Sequence, residues 1–205
     1  MRLDYRPVDF GSREDRETLS RWYNDRSTRH LFMRFPDAAS LDLVVSPDSF
    51  RRSGDAPEGG ATGRNLLVLV DGDPVGEARF EMAPPKLVTK TPGTAWLYLV
   101  IADQRLRRRG LGTRIIDHLE TLAAAAGAAR SEVGIFEYNT RSLRFFGALG
   151  YREFARLPER AWWDGRLWAD VRLIKPLGGA QSLAECAKPG GAGLSSRLDP
   201  EEPTS

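Results

Sequence analysis

Residues 95–126 constrain the fold more than any other part of the chain. Residues 95–102 are a nearly unbroken apolar run of strand length, and Leu111, Ile115, Leu119, Leu122 and Ala126 then recur on one face of a long helix. Between them lies Gln104-Arg105-Leu106-Arg107-Arg108-Arg109-Gly110-Leu111-Gly112-Thr113. A buried strand that turns through arginines and glycines into an amphipathic helix calls for a sheet covered by helices. At such a helix start the first amides have no intrahelical partner and the dipole is positive, so a phosphate can bind there. Gly110 and Gly112 carry no Cβ to hold a pyrophosphate off the backbone, and the arginines offer charge-assisted hydrogen bonds. Read alone, the arginines also fit a solvated loop and the glycines a tight turn. The segment is not a Walker loop, which needs Gly-Lys-Ser/Thr. Nor is it a dinucleotide fingerprint, because Ile115 stands where the third glycine would be.

The flanking sequence places this unit in an α/β domain built on one mixed sheet. Residues 1–8 read as a strand, and Ser12 with Asp15 signals a helix start before Leu19, Trp22 and Tyr23. That helix is expected to run to about residue 25. Ser46-Pro47 marks a short helix through residue 52, and 54–64 reads as a glycine-rich loop. The apolar run 66–70 and the alternation of Ala78, Phe80 and Met82 with Glu77, Arg79 and Glu81 give two antiparallel strands around Asp71-Gly72. The alternation predicts a solvated sheet face for Glu77, Arg79 and Glu81. Further strands are expected at 132–138, 151–157 and 167–174, with a helix at 140–149. Residues 178–205 have no hydrophobic period and are expected to form a disordered tail after a domain spanning 1–177.

Composition narrows the function. With 41% hydrophobic and 28% charged residues among 205 and no apolar run near bilayer length, the chain reads as soluble, cytoplasmic and without membrane contact. One cysteine, Cys186, excludes an internal disulfide, and two histidines, His30 and His118, are too few for a usual zinc site, so no metal is expected. The net charge of +2 does not indicate a nucleic-acid surface.

Arg107-x-x-Gly110-x-Gly112 resembles the Gln/Arg-x-x-Gly-x-Gly/Ala coenzyme A motif of the Gcn5-related N-acetyltransferases (GNAT). Asn139-x-x-Ser142-x-x-Phe145-Phe146-x-x-Leu149-Gly150-Tyr151 is similar to that family's Asn-x-x-Ala/Ser…Leu-Gly-Phe/Tyr segment, one helix and one strand later. The resemblance covers about residues 95–157 and suggests the branch of ribosomal-protein and small-molecule acetyltransferases. It implies a mostly antiparallel mixed sheet flanked by helices, acetyl-coenzyme A as acyl donor, and a primary amine as acceptor. It further implies that main-chain groups of Val100, Ile101 and Ala102 hold the pantetheine arm, that Arg107, Arg108, Arg109, Gly110, Leu111, Gly112 and Thr113 hold the pyrophosphate, and that Asn139 and Ser142 flank the cofactor. A strand-end cap is the alternative reading for Asn139.

Two positions depart from the family's chemistry. Phe146 stands where many members carry a tyrosine that protonates the thiolate, and Trp96 where some carry a glutamate base. Amide formation needs a free amine, a polarised thioester carbonyl and a proton for the leaving thiolate. A backbone N–H near Ala102 is one oxyanion donor. Tyr98, Tyr138 and Glu81, with Glu137, are the candidate acid–base groups, alongside solvent alone. Trp22, Tyr23, Phe32, Phe35, Trp162 and Trp163, with Asp37, Asp42 and Asp164, are candidate acceptor contacts. A catalytically silent acyl-coenzyme A sensor is the alternative to an enzyme, and either a monomer or a homodimer fits.

Overall fold

The computed structural model describes residues 1–51 and 63–178. The strands are β1 (Leu3–Pro7), β2 (Gly63–Val70), β3 (Asp73–Met82), β4 (Thr94–Ile101), β5 (Arg130–Phe136), β6 (Arg152–Trp163) and β7 (Arg166–Pro176); the helices are α1 (Arg13–Tyr23), α2 (Leu111–Ala125) and α3 (Thr140–Ala148). The sheet order is β1-β2-β3-β4-β5-β7-β6, and only β4 and β5 run parallel. The crossover between them is α2, as a parallel connection requires.

Alternation sorts the strands into two faces. Leu66, Val68, Ala78, Phe80, Ala95, Leu97, Val133, Ile135, Val171 and Leu173 pack against Leu111, Ile115, Ile116, Leu119 and Ala123 of α2 and Phe146 of α3. The helix buries Ile116 and Ala123 along with the expected Leu111, Ile115 and Leu119, whereas Leu122 is partly buried and Ala126 is exposed. The reason is that α2 ends at Ala125, and Ala126 and Gly127 form the turn that leads the chain back to β5. On the opposite face, Leu19 and Trp22 of α1 cover Leu67 with Val8 and Phe50.

Helix α1 begins at Ser12, whose side chain accepts from the Asp15 amide, and its start is clamped by Asp15, which takes two hydrogen bonds of 2.6 Å from Arg6 and one of 2.8 Å from the Asp9 amide. The expected short helix after Ser46 is 3-10, Pro47–Arg51. Strand β6 is longer than expected, because its continuation past Leu157 still pairs with β7 and its Trp162 amide bonds the carbonyl of Phe35. The greater part of the expected glycine-rich loop and of the tail, with Cys186, lies outside the described residues.

The prediction of a solvated face for Glu77, Arg79 and Glu81 fails at Glu77, which is only 3% exposed. The end of α1 covers it: Tyr23 hydrogen-bonds the carboxylate. Strand periodicity reports which residues share a face but not what covers that face.

Candidate active site

The site is created by a failure of pairing. Strands β4 and β5 are in register only at Thr94–Arg130, Ala95–Ser131 and Trp96–Glu132. Beyond that point β4 continues alongside β3 and β5 alongside β7, leaving a cleft of about 570 Å³ between them. Glu132 sits at the last paired position, fully buried. Its carboxylate accepts from the amides of Val88 (2.9 Å) and Thr89 (3.0 Å) and from Arg172 Nη1 (3.1 Å), clipping the β3–β4 connection under the apex of the split.

The edge of β4 toward the cleft carries open backbone groups. Ala83 donates to Thr94 O at 3.0 Å and Ala102 to Val75 O at 2.9 Å, so the even-numbered residues of β4 direct their amides and carbonyls at β3. Leu99 and Ile101 therefore face the split. Of the three residues expected to offer main-chain groups, Ile101 turns its amide to the split, its carbonyl accepting from Arg107, while the Ala102 amide is bonded to β3 and Val100 is turned the same way. Leu99, which the sequence did not single out, takes their place. Leu99, Val100 and Ile101 all line the cleft.

At the far end lies the start of α2. Gly110, the N-cap residue, has φ of 74°, a left-handed conformation that favours glycine, and no side chain caps the helix. The first intrahelical bond runs from Arg114 N–H to Gly110 O, so the amides of Leu111, Gly112 and Thr113 have no helical partner. A Cβ at Gly112 would stand 3.0 Å from Cζ of Phe145, which packs across the helix start and lines the cleft.

The arginines divide. Arg107 and Arg108 line the cleft with Gly110, Gly112 and Thr113. Arg105 is exposed and bound to Asp103 (Nη2–Oδ2 2.9 Å), and Arg109 is exposed outside the cleft lining. Arg107 donates from Nη2 to Ile101 O at 3.1 Å, tying the end of β4 to the helix start. Burial and then the nearby Arg141, partly offset by Asp25, lower its pKa. Arg141, in the first turn of α3, also lines the cleft and was not singled out from the sequence. Its signal was its place two residues after Asn139. Converging guanidinium groups that repel one another beside unpaired helix amides form a site an anion would stabilise. The open β4 edge then suits an extended, amide-bearing chain. On both counts the residues present fit a coenzyme A thioester.

Asn139 caps α3, its Oδ1 accepting from the Ser142 amide at 3.2 Å, while its Nδ2 donates to Leu31 O at 3.3 Å. Both Asn139 and Ser142 line the cleft, but the asparagine side chain is occupied in joining α3 to the segment after α1.

The acid–base candidates are dispersed. Tyr138 lines the cleft, yet its hydroxyl donates to His30 O, and burial raises its pKa. Glu81 lies outside the cleft lining, held by Lys86 Nζ at 2.9 and 2.8 Å and by Arg79 at 3.1 Å. Tyr98 is partly exposed on the α1 side of β4, 3.1 Å from the Tyr23 hydroxyl. Glu137 pairs with Arg156 at 2.6 Å. Phe146 is part of the α2–α3 core and touches the cleft; Trp96 lies under the cations of Lys86 and Arg172. Among the acceptor-contact candidates, Phe32 lines the cleft. Trp22 and Phe35 are buried, Trp163 stacks on His30 at 3.9 Å, Asp37 caps the Ser40 amide, and Asp42 pairs with Arg26.

A sequence model described as the acetyltransferase (GNAT) family matches residues 28–151, a span that contains the split strands, the helix start and the Asn139 cap. The chain belongs to this family. Solved structures agree in fold. A spermidine N-acetyltransferase from Vibrio cholerae in complex with CoA and spermine has 14% identity and a TM-score of 0.67, covering 85% of this chain and 95% of its own. A putative acetyltransferase from Salmonella typhimurium with its cofactor acetyl-CoA has 19% identity and a TM-score of 0.64, covering 89% and 98%. A GNAT superfamily phosphinothricin acetyltransferase from Sinorhizobium meliloti in complex with AcCoA has 15% identity and a TM-score of 0.66, covering 87% and 90%. Among the described residues, no helix of this GNAT protein is long and apolar enough to cross a membrane.

Proposed function

We propose that the protein transfers an acetyl group from acetyl-coenzyme A to a primary amine by direct attack in a ternary complex. The observation that carries this reading is the cleft itself. It runs from unpaired α2 amides flanked by Arg107, Arg108 and Arg141 to open backbone groups of Leu99 and Ile101. The pyrophosphate would lie on Leu111, Gly112 and Thr113 with Arg107 and Arg108, and the pantetheine amides on Leu99 and Ile101. An N–H of that same strand edge would stabilise the negative charge developing on the thioester oxygen. The amine enters from the α1 side, past Phe32 and Tyr98. Spermidine and phosphinothricin, after which two of the similar structures are named, are amines, as is the spermine bound in the first, which supports an amine acceptor here.

A silent acyl-coenzyme A sensor is the second reading, favoured by Phe146 and Trp96, neither of which can exchange a proton. Calorimetric titration with acetyl-coenzyme A, followed by thiol release over spermidine, phosphinothricin, amino acids and peptides with free N-termini, separates the two. Binding with release supports the enzyme, binding without release the sensor, and absence of binding removes both.

A further inference from the structure

A hydrogen-bonded set of three side chains lies next to the cleft on the α1 side of the sheet, and none of the functional groups above accounts for it. Glu77 of β3, Tyr98 of β4 and Tyr23, the last residue of α1, come from three elements. The Tyr23 hydroxyl donates to Glu77 Oε2 at 3.0 Å, and the hydroxyls of Tyr23 and Tyr98 are 3.1 Å apart. A phenol has one proton to give. With that of Tyr23 committed to the carboxylate, Tyr98 is the donor in the second bond. The chain therefore has a direction, from Tyr98 through Tyr23 to Glu77.

The two ends differ in exposure. Glu77 is 3% exposed, whereas Tyr23 and Tyr98 are both partly exposed; Tyr98 immediately precedes the cleft-lining Leu99 and meets the cleft-lining Phe32 edge-on at 6.4 Å. Phe32 and Phe50 both pack edge-on against Tyr23, at 5.2 and 5.3 Å. The charged groups facing Glu77 are Arg79 and Glu81 from β3, with the phenols from α1 and β4; β2 places Leu67 opposite it. Arg79 sits over the Tyr98 ring at 4.6 Å. A buried carboxylate held by a phenol is a costly arrangement for stability alone.

We propose that Glu77 is the terminal acceptor of the proton lost by the attacking amine, which reaches it through Tyr98 and Tyr23. The inference rests on the acetyltransferase reading above. As the nitrogen–carbon bond forms and the carbon–sulfur bond breaks, sulfur leaves with the electron pair. The amine proton passes to the Tyr98 oxygen, the Tyr98 proton to Tyr23, and the Tyr23 proton to Glu77 Oε2. The thiolate takes a proton from solvent, and Glu77 returns its own by the reverse path. Burial raises the pKa of Glu77, against the opposing pull of Arg79 and the Tyr23 hydrogen bond, which makes it a stronger base than an exposed carboxylate. Tyr98 is the group that meets the amine; Tyr23 and Glu77 act through it.

The test compares wild type with Glu77→Gln, Tyr23→Phe and Tyr98→Phe, using the amine that gives the fastest thiol release in the panel above. The quantity read is kcat/KM from about pH 6 to about pH 10. The expected loss in Glu77→Gln is about a hundredfold near neutrality, shrinking about tenfold per pH unit as hydroxide takes over removal of the amine proton in the variant. Tyr23→Phe, which cuts the chain in the middle, should give the same profile, and acetyl-coenzyme A affinity by calorimetry should be unchanged in both. A loss constant across pH, or no loss in Tyr23→Phe, overturns the relay. Absence of thiol release from wild type with every amine overturns the acetyltransferase reading as well, so the two failures are distinguishable. Should Glu77→Gln fail to fold, Tyr23→Phe and Tyr98→Phe carry the same test.

Discussion

Glu132→Gln should destabilise the protein and open the apex of the cleft together. The carboxylate is fully buried and accepts three hydrogen bonds: Val88 N–H and Arg172 Nη1 at Oε1, and Thr89 N–H at Oε2. A glutamine of the same shape keeps a carbonyl at the Oε1 position, but its amino group then faces the Thr89 N–H, donor against donor. An orphaned buried amide costs about 1–3 kcal/mol, and loss of the charge facing Arg172 brings the total to the 3–5 kcal/mol typical of a broken buried pair. Asp170, 2.9 Å from Arg172 Nη2, retains part of the compensation, so about 3 kcal/mol is expected. For a chain of this size that lowers Tm by about 10 °C. Urea and thermal melts measure it, and calorimetry with acetyl-coenzyme A reads the weaker cofactor binding expected when the last β4–β5 pair loosens. A loss below about 1 kcal/mol would refute the reasoning. So would a Glu132→Leu, Arg172→Met double variant as unstable as the sum of the two single ones, because removing both charges should recover part of the loss.

Three further outcomes follow from the same structure. Arg107→Met removes the hydrogen bond to Ile101 O and one cationic contact to the pyrophosphate, so acetyl-coenzyme A affinity should fall tenfold to a hundredfold, about 1.5–3 kcal/mol, by calorimetry. Gly112→Ala forces the Phe145 ring aside from a 3.0 Å contact and should cost about 1–3 kcal/mol in a denaturation curve while weakening cofactor binding; Gly110→Ala should cost about 1–2 kcal/mol through its φ of 74° alone. Asp15 has its pKa lowered first by the Arg6 hydrogen bonds, against burial, and then by the Asp9 amide. Its stabilisation is present above the unfolded carboxylate value near 3.8 and is lost as pH falls through the lower folded value, so Asp15→Asn should be less stable than wild type at neutral pH and converge with it in acid melts.

Local pattern determined a large part of this protein. The period of α2, the Ser12 cap, the β2–β3 turn at Asp71-Gly72 and the arginine–glycine segment at a helix start all depend on neighbours a few residues apart, and each is found where the sequence places it. The second motif was equally legible, since Asn139 caps the helix that follows it. Only the tertiary structure decided that β4 and β5 separate after Trp96 and Glu132, because strand divergence depends on which third strand each edge meets. It likewise decided that Leu99 rather than Ala102 faces the split, that Phe145 lies against Gly112, and that α1 covers Glu77. Alternation assigns a side chain to a face, but its burial and its hydrogen-bond partners come from elements remote in the chain: Tyr23 and Glu77 are 54 residues apart, and Tyr23 and Tyr98 are 75 apart.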